Sequence, residues 1–357
     1  MSALEEGKRL LAKAQEYSKP KLLSFRFSPD WESAARYARQ AAEKLTSASM
    51  TNEAAFPFLE EALEMSAQAS DQINSPNQAA RDYEALAKIH RNKGRHEKAW
   101  AAFEKAARYY RLNNQIDTAA SALVQAAKVA DEAKNSAECT RLYNLAVSIY
   151  EDEEEKAISS ESTFKAAINY LVNAGRYAEA RQMITRQNVV YRRKFDVYAH
   201  EIHFNYLSTI ILFLHEDKLP EASQFFDSVT YNDNFAGSNP FECARALIST
   251  LDSEPEKLDE IRQRYSAALT AIDAPVSRLA YRLDPTRLKT AGLKRQQRRD
   301  EIKSSVSSTN FDAVIDAKLG GDDAKTQEPE TGAVDAGNPE SDTALAETAE
   351  DALNQLM

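Results

Sequence analysis

Helix breakers are scarce in this chain. Only 9 glycines and 11 prolines are spread over its 357 residues, while alanine, leucine, glutamate, lysine and glutamine, all good helix formers, dominate. An almost entirely helical protein is expected. Cysteine is scarcer still. Cys139 and Cys243 fall singly in helical apolar patterns, offer no pair at zinc spacing, and read as buried small hydrophobes. No apolar run approaches the roughly twenty residues of a membrane span, and Met1 to Ser18 lacks the pattern of a signal peptide. A reducing, cytosolic setting follows. The formal charge of −10, with pI ≈ 5.3, argues against a general nucleic-acid binder. A glycine-rich phosphate loop and a nucleophile elbow are both missing, so neither an enzyme nor a cofactor is expected.

What the chain does contain is a repeat, running from about residue 79 to residue 230. Its clearest copy reads Tyr83-x2-Leu86-Ala87-x2-His90, then Gly94, then Ala99-x3-Phe103-x2-Ala106. Further copies centre on Cys139, Ala180 and Ala222, about forty residues apart, against about thirty-four for a standard tetratricopeptide unit. Four residues after each small anchor comes a bulkier side chain: Phe103, Tyr143, Ile184 and Phe226. The small residue lets two antiparallel helices approach, and the large one fills the groove between them. One helix pair cannot bury both of its faces, so the pairs must stack. The fold class is all-α: a tetratricopeptide-like, right-handed solenoid of helical hairpins.

Taken in order, residues 1–238 form the solenoid, with a first amphipathic helix at 2–17 and a loop at 18–30 that is unexpectedly apolar. Leu22, Leu23, Phe25 and Phe27 stand there beside Lys21 and Arg26. They either cap the open end of the solenoid or insert shallowly into a membrane surface, aromatics in the interface and cations at the headgroups. Asp30 caps a helix from Trp31 to Ala48, and Thr51 opens the next. Gly94, Asn135, Gly175 and Asp217-Lys218 mark the turns within pairs, with Asp117 and Ser159 or Ser160 as N-caps between pairs. A C-terminal helical bundle occupies 239–283, with helices at about 239–252, 254–270 and 275–283. Beyond it lie a basic linker at 284–303, an acidic spacer at 304–343 whose composition is that of disorder, and a short acidic amphipathic element at 344–357. Leu345, Leu353 and Leu356 stand there against Glu347, Glu350 and Asp351. That element is too short to be stable alone and is suited to a partner.

Two clusters invite chemistry. His200 and His203 share a helical face, but their spacing is not that of the zinc-protease helix and no third ligand accompanies them, so they read as ordinary core or surface histidines. The run Glu151 to Glu155 reads as a solvated turn. Stacked helix pairs are by default a binding scaffold. The first helix of each pair usually lines the concave side, and there Lys88, Arg91, Lys128 and Lys165 form either a ladder for a long acidic partner or a set of solvated side chains.

Several stretches together resemble the soluble NSF-attachment protein family, with details leaning to its gamma type. They are Phe27-Ser28-Pro29-Asp30-Trp31-Glu32-Ser33-Ala34-Ala35 followed by Tyr37, the helix start Asp117-Thr118-Ala119-Ala120, and Phe235-Ala236-Gly237-Ser238 before the terminal helices. The resemblance spans roughly residues 1–283. It implies an adaptor that wraps assembled SNARE four-helix bundles and recruits the hexameric ATPase NSF for their disassembly in vesicle transport, itself hydrolysing nothing. The protein would be cytoplasmic and peripheral to membranes. On that footing Leu22, Leu23, Phe25 and Phe27 correspond to a membrane-contacting loop, Lys88, Arg91, Lys128 and Lys165 are SNARE-binding candidates, and Glu350, Asp351, Leu353 and Leu356 are NSF-binding candidates. Ser121 and Ser162 stand where the alpha type carries lysine, and the basic run at 287–299 and the acidic spacer have no counterpart. The alternative is a generic tetratricopeptide-like scaffold that captures acidic peptide tails of other partners.

Overall fold

The computed structural model describes residues 2–20, 27–151 and 157–286. Every regular element among them is a helix. The chain opens with α1 (Ala3–Tyr17), α2 (Trp31–Ser49) and α3 (Phe56–Gln72). Ser2 caps α1 by accepting the Glu5 N–H at 3.2 Å, and Asp30 caps α2 by accepting the Ser33 N–H at 2.9 Å. Each side-chain oxygen satisfies a backbone donor that the first helical turn leaves unbonded. The third helix starts later than expected. Asn52 accepts the Ala54 N–H at 2.9 Å and opens a 3-10 turn, Glu53–Ala55, which leads into α3 with Pro57 in its first turn.

Four regular hairpins follow: α4 (Pro76–Asn92) with α5 (His96–Leu112), α6 (Ile116–Glu132) with α7 (Ser136–Glu151), α8 (Ala157–Asn173) with α9 (Tyr177–Arg192), and α10 (Phe195–His215) with α11 (Leu219–Val229). One backbone device recurs at six of the connections. Asn74, Gly94, Asn114, Lys134, Gly175 and Asp217 all have positive φ. At Gly94 the N–H reaches Arg91 O at 3.0 Å and the next N–H, of Arg95, reaches His90 O at 2.9 Å. The same pair of bonds recurs at Lys134, to Asp131 O at 2.8 Å, and Asn135, to Ala130 O at 2.9 Å. This is the Schellman C-cap, which satisfies the last carbonyls of one helix and turns the chain into the next.

Three sequence expectations shift here. The left-handed position before α7 falls on Lys134, and Asn135 instead caps α7 by accepting the Glu138 N–H at 3.1 Å. Helix α6 begins right after Gln115, so Asp117 lies inside its first turn, where a carboxylate still favours the helix dipole. Helix α8 begins at Ala157, which puts Ser159 and Ser160 inside it. Before α6 and α7 the tight Schellman turn leaves no residue to spare, so the next helix starts sooner than the polar side chains suggest.

The repeat anchors behave as their spacing predicts. Ala99, Cys139, Ala180 and Ala222 expose no surface, Phe103, Tyr143 and Ile184 are buried, and Phe226 packs half-buried on the same core. That core runs without a break from Leu10 to Leu283. The terminal bundle comprises α12 (Asn239–Ser253), α13 (Leu258–Arg264), α14 (Ser266–Ala271) and α15 (Ala274–Tyr281), so the single helix expected at 254–270 is divided. A 3-10 turn at Pro255–Lys257 precedes it and Tyr265 interrupts it, with ψ at 22°. Arg262 ties α13 to the end of α15 through Ala280 O at 3.1 Å and Leu283 O at 2.7 Å, a tertiary tie that helical periodicity does not encode. Helix α15 rests on α8 and α10. The basic linker from residue 287, the acidic spacer and the C-terminal element lie outside the described residues.

Candidate interaction surfaces

Among the described residues no group of three or more His, Cys, Asp or Glu side chains is arranged to hold a metal. The two histidines are engaged separately. His203 Nε2 lies 2.7 Å from Asp233 O, and His200 stands edge-on to Phe204 with ring centroids 4.6 Å apart. Both cysteines are buried and unpaired. Burial pushes the Cys139 thiol up to about 11 and that of Cys243 up to about 12, so neither is a ready thiolate. These are core residues, as expected. None of the described helices is long and apolar enough to cross a membrane.

The four cations singled out by sequence sit on the first helices of successive hairpins: Lys88 and Arg91 on α4, Lys128 on α6, Lys165 on α8. Three of them are already partnered. Lys88 Nζ lies 2.7 Å from Glu84, one turn back on its own helix. Burial pushes the Glu84 carboxyl up, but the bonds from Lys88 and from the Tyr110 hydroxyl outweigh it and hold the group below its ordinary range. Arg91 reaches across to Glu132 on α6 with both prongs of its guanidinium, Nε to Oε2 at 3.1 Å. Lys165 pairs with Asp273 at 3.0 Å, in the loop before α15, and that bond raises its pKa. Lys128 is exposed and makes no ion pair among the described residues. The ladder therefore carries less open charge than a count of lysines implies. Sequence reading missed Glu132 and Asp273. For Glu132 a signal was there, since it lies one repeat period beyond Arg91.

At the N-terminal end, the loop between α1 and α2 is drawn shut at its neck by the Asp30 N–H, which donates to Tyr17 O at 2.9 Å. Tyr17 also stacks on Tyr37, centroids 5.3 Å apart. Phe27 is 73% exposed, so this side chain is not folded back as a cap. Leu22, Leu23 and Phe25 lie outside the described residues, as do Glu350, Asp351, Leu353 and Leu356.

With this geometry in place, comparison with known proteins is informative. A family model described as "Soluble NSF attachment protein, SNAP" matches residues 5–269, a span that takes in every hairpin of the array and most of the terminal bundle. The gamma-soluble NSF attachment protein of Dictyostelium discoideum is 23% identical over 248 residues, covering 70% of this chain and 73% of that protein. Its counterpart in Arabidopsis thaliana is 24% identical over 276 residues, covering 77% of this chain and 90% of its own.

Proposed function

Because the chain belongs to the soluble NSF attachment protein family, we propose that it is a non-enzymatic adaptor of membrane traffic. In this reading it binds assembled SNARE bundles and recruits the NSF ATPase to them. The observation that carries the reading is the coincidence of the family match, residues 5–269, with the whole stack of helical hairpins. Such a stack offers an extended face for a long partner.

In this proposal Lys88, Arg91, Lys128 and Lys165 face the SNARE bundle, with Lys128 supplying the open charge. Phe27, together with Leu22, Leu23 and Phe25, touches the membrane. The exposure of Phe27 and the closed neck of its loop support that role. Glu350, Asp351, Leu353 and Leu356 engage the ATPase. The spacer before them gives long reach at reduced effective concentration, so this contact is expected to be weak and readily released.

The test is a pull-down of NSF onto immobilised SNARE complex, with the intact chain and with one lacking Leu353 to Met357. The intact chain should bridge the two, and the truncated one should hold the SNARE complex without retaining NSF. If neither binds the SNARE complex, the reading fails. A liposome arm separates the loop: a Phe25→Ser, Phe27→Ser double variant should lose any enhancement by membranes while keeping its helical content.

A further inference from the structure

A cleft of about 230 Å³ opens between α8 and α10, the first helices of two neighbouring hairpins, and is lined also by α9 and the loop from α14 to α15. Its charges are unbalanced. Lys165 pairs with Asp273 at 3.0 Å, which cancels one charge of each sign. Glu161 and Glu201 remain, and neither makes an ion pair among the described residues. Glu161 stands one turn before Lys165 and, after the Asp273 bond, adds through its field alone to the rise in that ammonium's pKa. Glu201 Oε2 is buried and accepts no hydrogen bond among the described residues. Both carboxylates bear on one spot: burial first, then Glu161 and more weakly Glu201, push the Tyr191 hydroxyl well above its ordinary value. The inner wall is polar too. Gln187, 6% exposed, is tied to Tyr191 at 2.8 Å and to Asn205 at 3.1 Å. Ser208 is just as buried, and its hydroxyl makes no hydrogen bond among the described residues. Phe204 sets an aromatic ring in the same lining.

Unpaired carboxylates beside an unbonded hydroxyl and an aromatic ring have a definite complement: a cation with several N–H donors and a flat face. An arginine guanidinium meets each requirement, since its planar fork matches a carboxylate and its face stacks on a ring. A lysine ammonium is a compact, strongly hydrated point charge with no such face. We propose that the α8/α10 cleft takes up one arginine side chain of the partner lying along the first helices, with its guanidinium on Glu201 and Glu161 and its plane against Phe204. Naming that partner as the SNARE bundle rests on the adaptor reading, whereas the pocket itself does not. The seat also does something that Lys88, Lys128 and Lys165 cannot. A row of cations attracts a long acidic surface at many offsets, while one cationic side chain in one acidic pocket fixes where along the stack the partner sits.

The test has two arms, both on the full chain. In the first, saturation-transfer NMR follows titration with acetyl-arginine amide, acetyl-lysine amide and acetyl-citrulline amide, the last having arginine's shape without its charge. The arginine amide should bind at least about five-fold more tightly than the other two, and Glu201→Gln should remove about ten-fold of its affinity. Should that variant disturb folding by circular dichroism, the exposed Glu161→Gln reads the same pocket and should also weaken binding. In the second arm, immobilised SNARE complex should hold Glu201→Gln about ten-fold more weakly than the parent. The sign decides, because a partner acidic throughout would be held more tightly once a carboxylate is gone. Lysine or citrulline amide bound as well as the arginine amide, or arginine affinity unmoved by both variants, overturns the pocket. A parent that holds the SNARE complex no better than Glu201→Gln does overturns the SNARE bundle as the source of the arginine. A parent that takes the arginine amide but never holds the SNARE complex removes the adaptor reading, and this partner with it, while the pocket stands.

Discussion

Arg141 on α7 grips Glu104 on α5 with two parallel bonds, Nη1 at 3.2 Å and Nη2 at 2.6 Å from the two carboxylate oxygens, across 37 residues of sequence. That separation is close to one repeat, and the relation recurs along the array. Arg186 reaches Glu151 35 residues back, Arg91 reaches Glu132 41 residues on, and Arg192 reaches Asp233 41 residues on. Arg95–Glu60 and Arg181–Glu216 do the same at separations of 35 residues. Arginine suits this position because its planar fork matches a carboxylate in a fixed orientation, which sets the register between hairpins. A double-mutant cycle on Arg141→Ala and Glu104→Ala should give a coupling of about 0.5–1 kcal/mol, since both groups are partly exposed to solvent. The coupling should shrink in about 1 M salt. A value within error of zero at low salt would mean that the pair is ornamental and that apolar packing alone sets the register.

The repeated turn yields a pair of opposite predictions. Gly94 has φ of 69° with open space where a Cβ would sit, so Gly94→Ala costs only the left-handed backbone penalty, about 1 kcal/mol. Lys134 occupies the equivalent place with φ of 57° and already bears that penalty. Lys134→Gly should therefore raise the thermal midpoint while Gly94→Ala lowers it. If both changes move the midpoint the same way, the turn conformation is not what decides the outcome.

These residues also mark the line between what a reader of the sequence can and cannot find. The small-then-large pattern of Ala99/Phe103 and Cys139/Tyr143 declares the hairpins, because helical packing is local and periodic. Lys134 gives no sign of its turn, since only its position twenty residues after Asn114 betrays it. The division of the 254–270 helix at Tyr265 comes with Arg262 reaching the end of α15, a tertiary contact that helical periodicity does not encode. The candidate site was less legible still. Lys88, Arg91, Lys128 and Lys165 look alike as letters, and only the fold separates Lys128, with no ion pair among the described residues, from three cations already paired.

Packing at the N-terminal hairpin predicts a case where a better helix former is worse. Gly7 sits inside α1, and a Cβ there would lie 2.6 Å from Leu45 Cγ, itself fully buried on α2. Alanine gains about 1 kcal/mol of helix propensity over glycine, but forcing a methyl group into that contact costs about 1–3 kcal/mol. Gly7→Ala should thus loosen α1 from α2, seen as faster amide exchange in α1 with the later hairpins unchanged, as expected of a stack stabilised by nearest neighbours. Slower exchange in α1 would mean that Leu45 yields freely and that the close approach is not required.

The last prediction concerns pH. His90 on α4 is 3% exposed. Burial lowers its pKa below the usual 6.5, and the nearby Arg95 and Lys98 push the same way, against the raising effect of Glu60, whose carboxylate lies 3.8 Å from Nδ1. The opposing Glu60 does not prevail because Arg95 already pairs with the same carboxylate oxygen, leaving desolvation as the larger effect. The native state therefore binds fewer protons here than the unfolded chain does between the native value and about 6.5, and stability must fall as pH drops through that window. Urea unfolding of the parent at pH 7 and pH 5.5 should find a lower midpoint in acid, and His90→Leu should narrow the difference by removing the group that has to charge. An unchanged difference in the variant would assign the acid sensitivity to other titrating groups and mean that His90 takes up its proton equally readily in the folded and the unfolded chain.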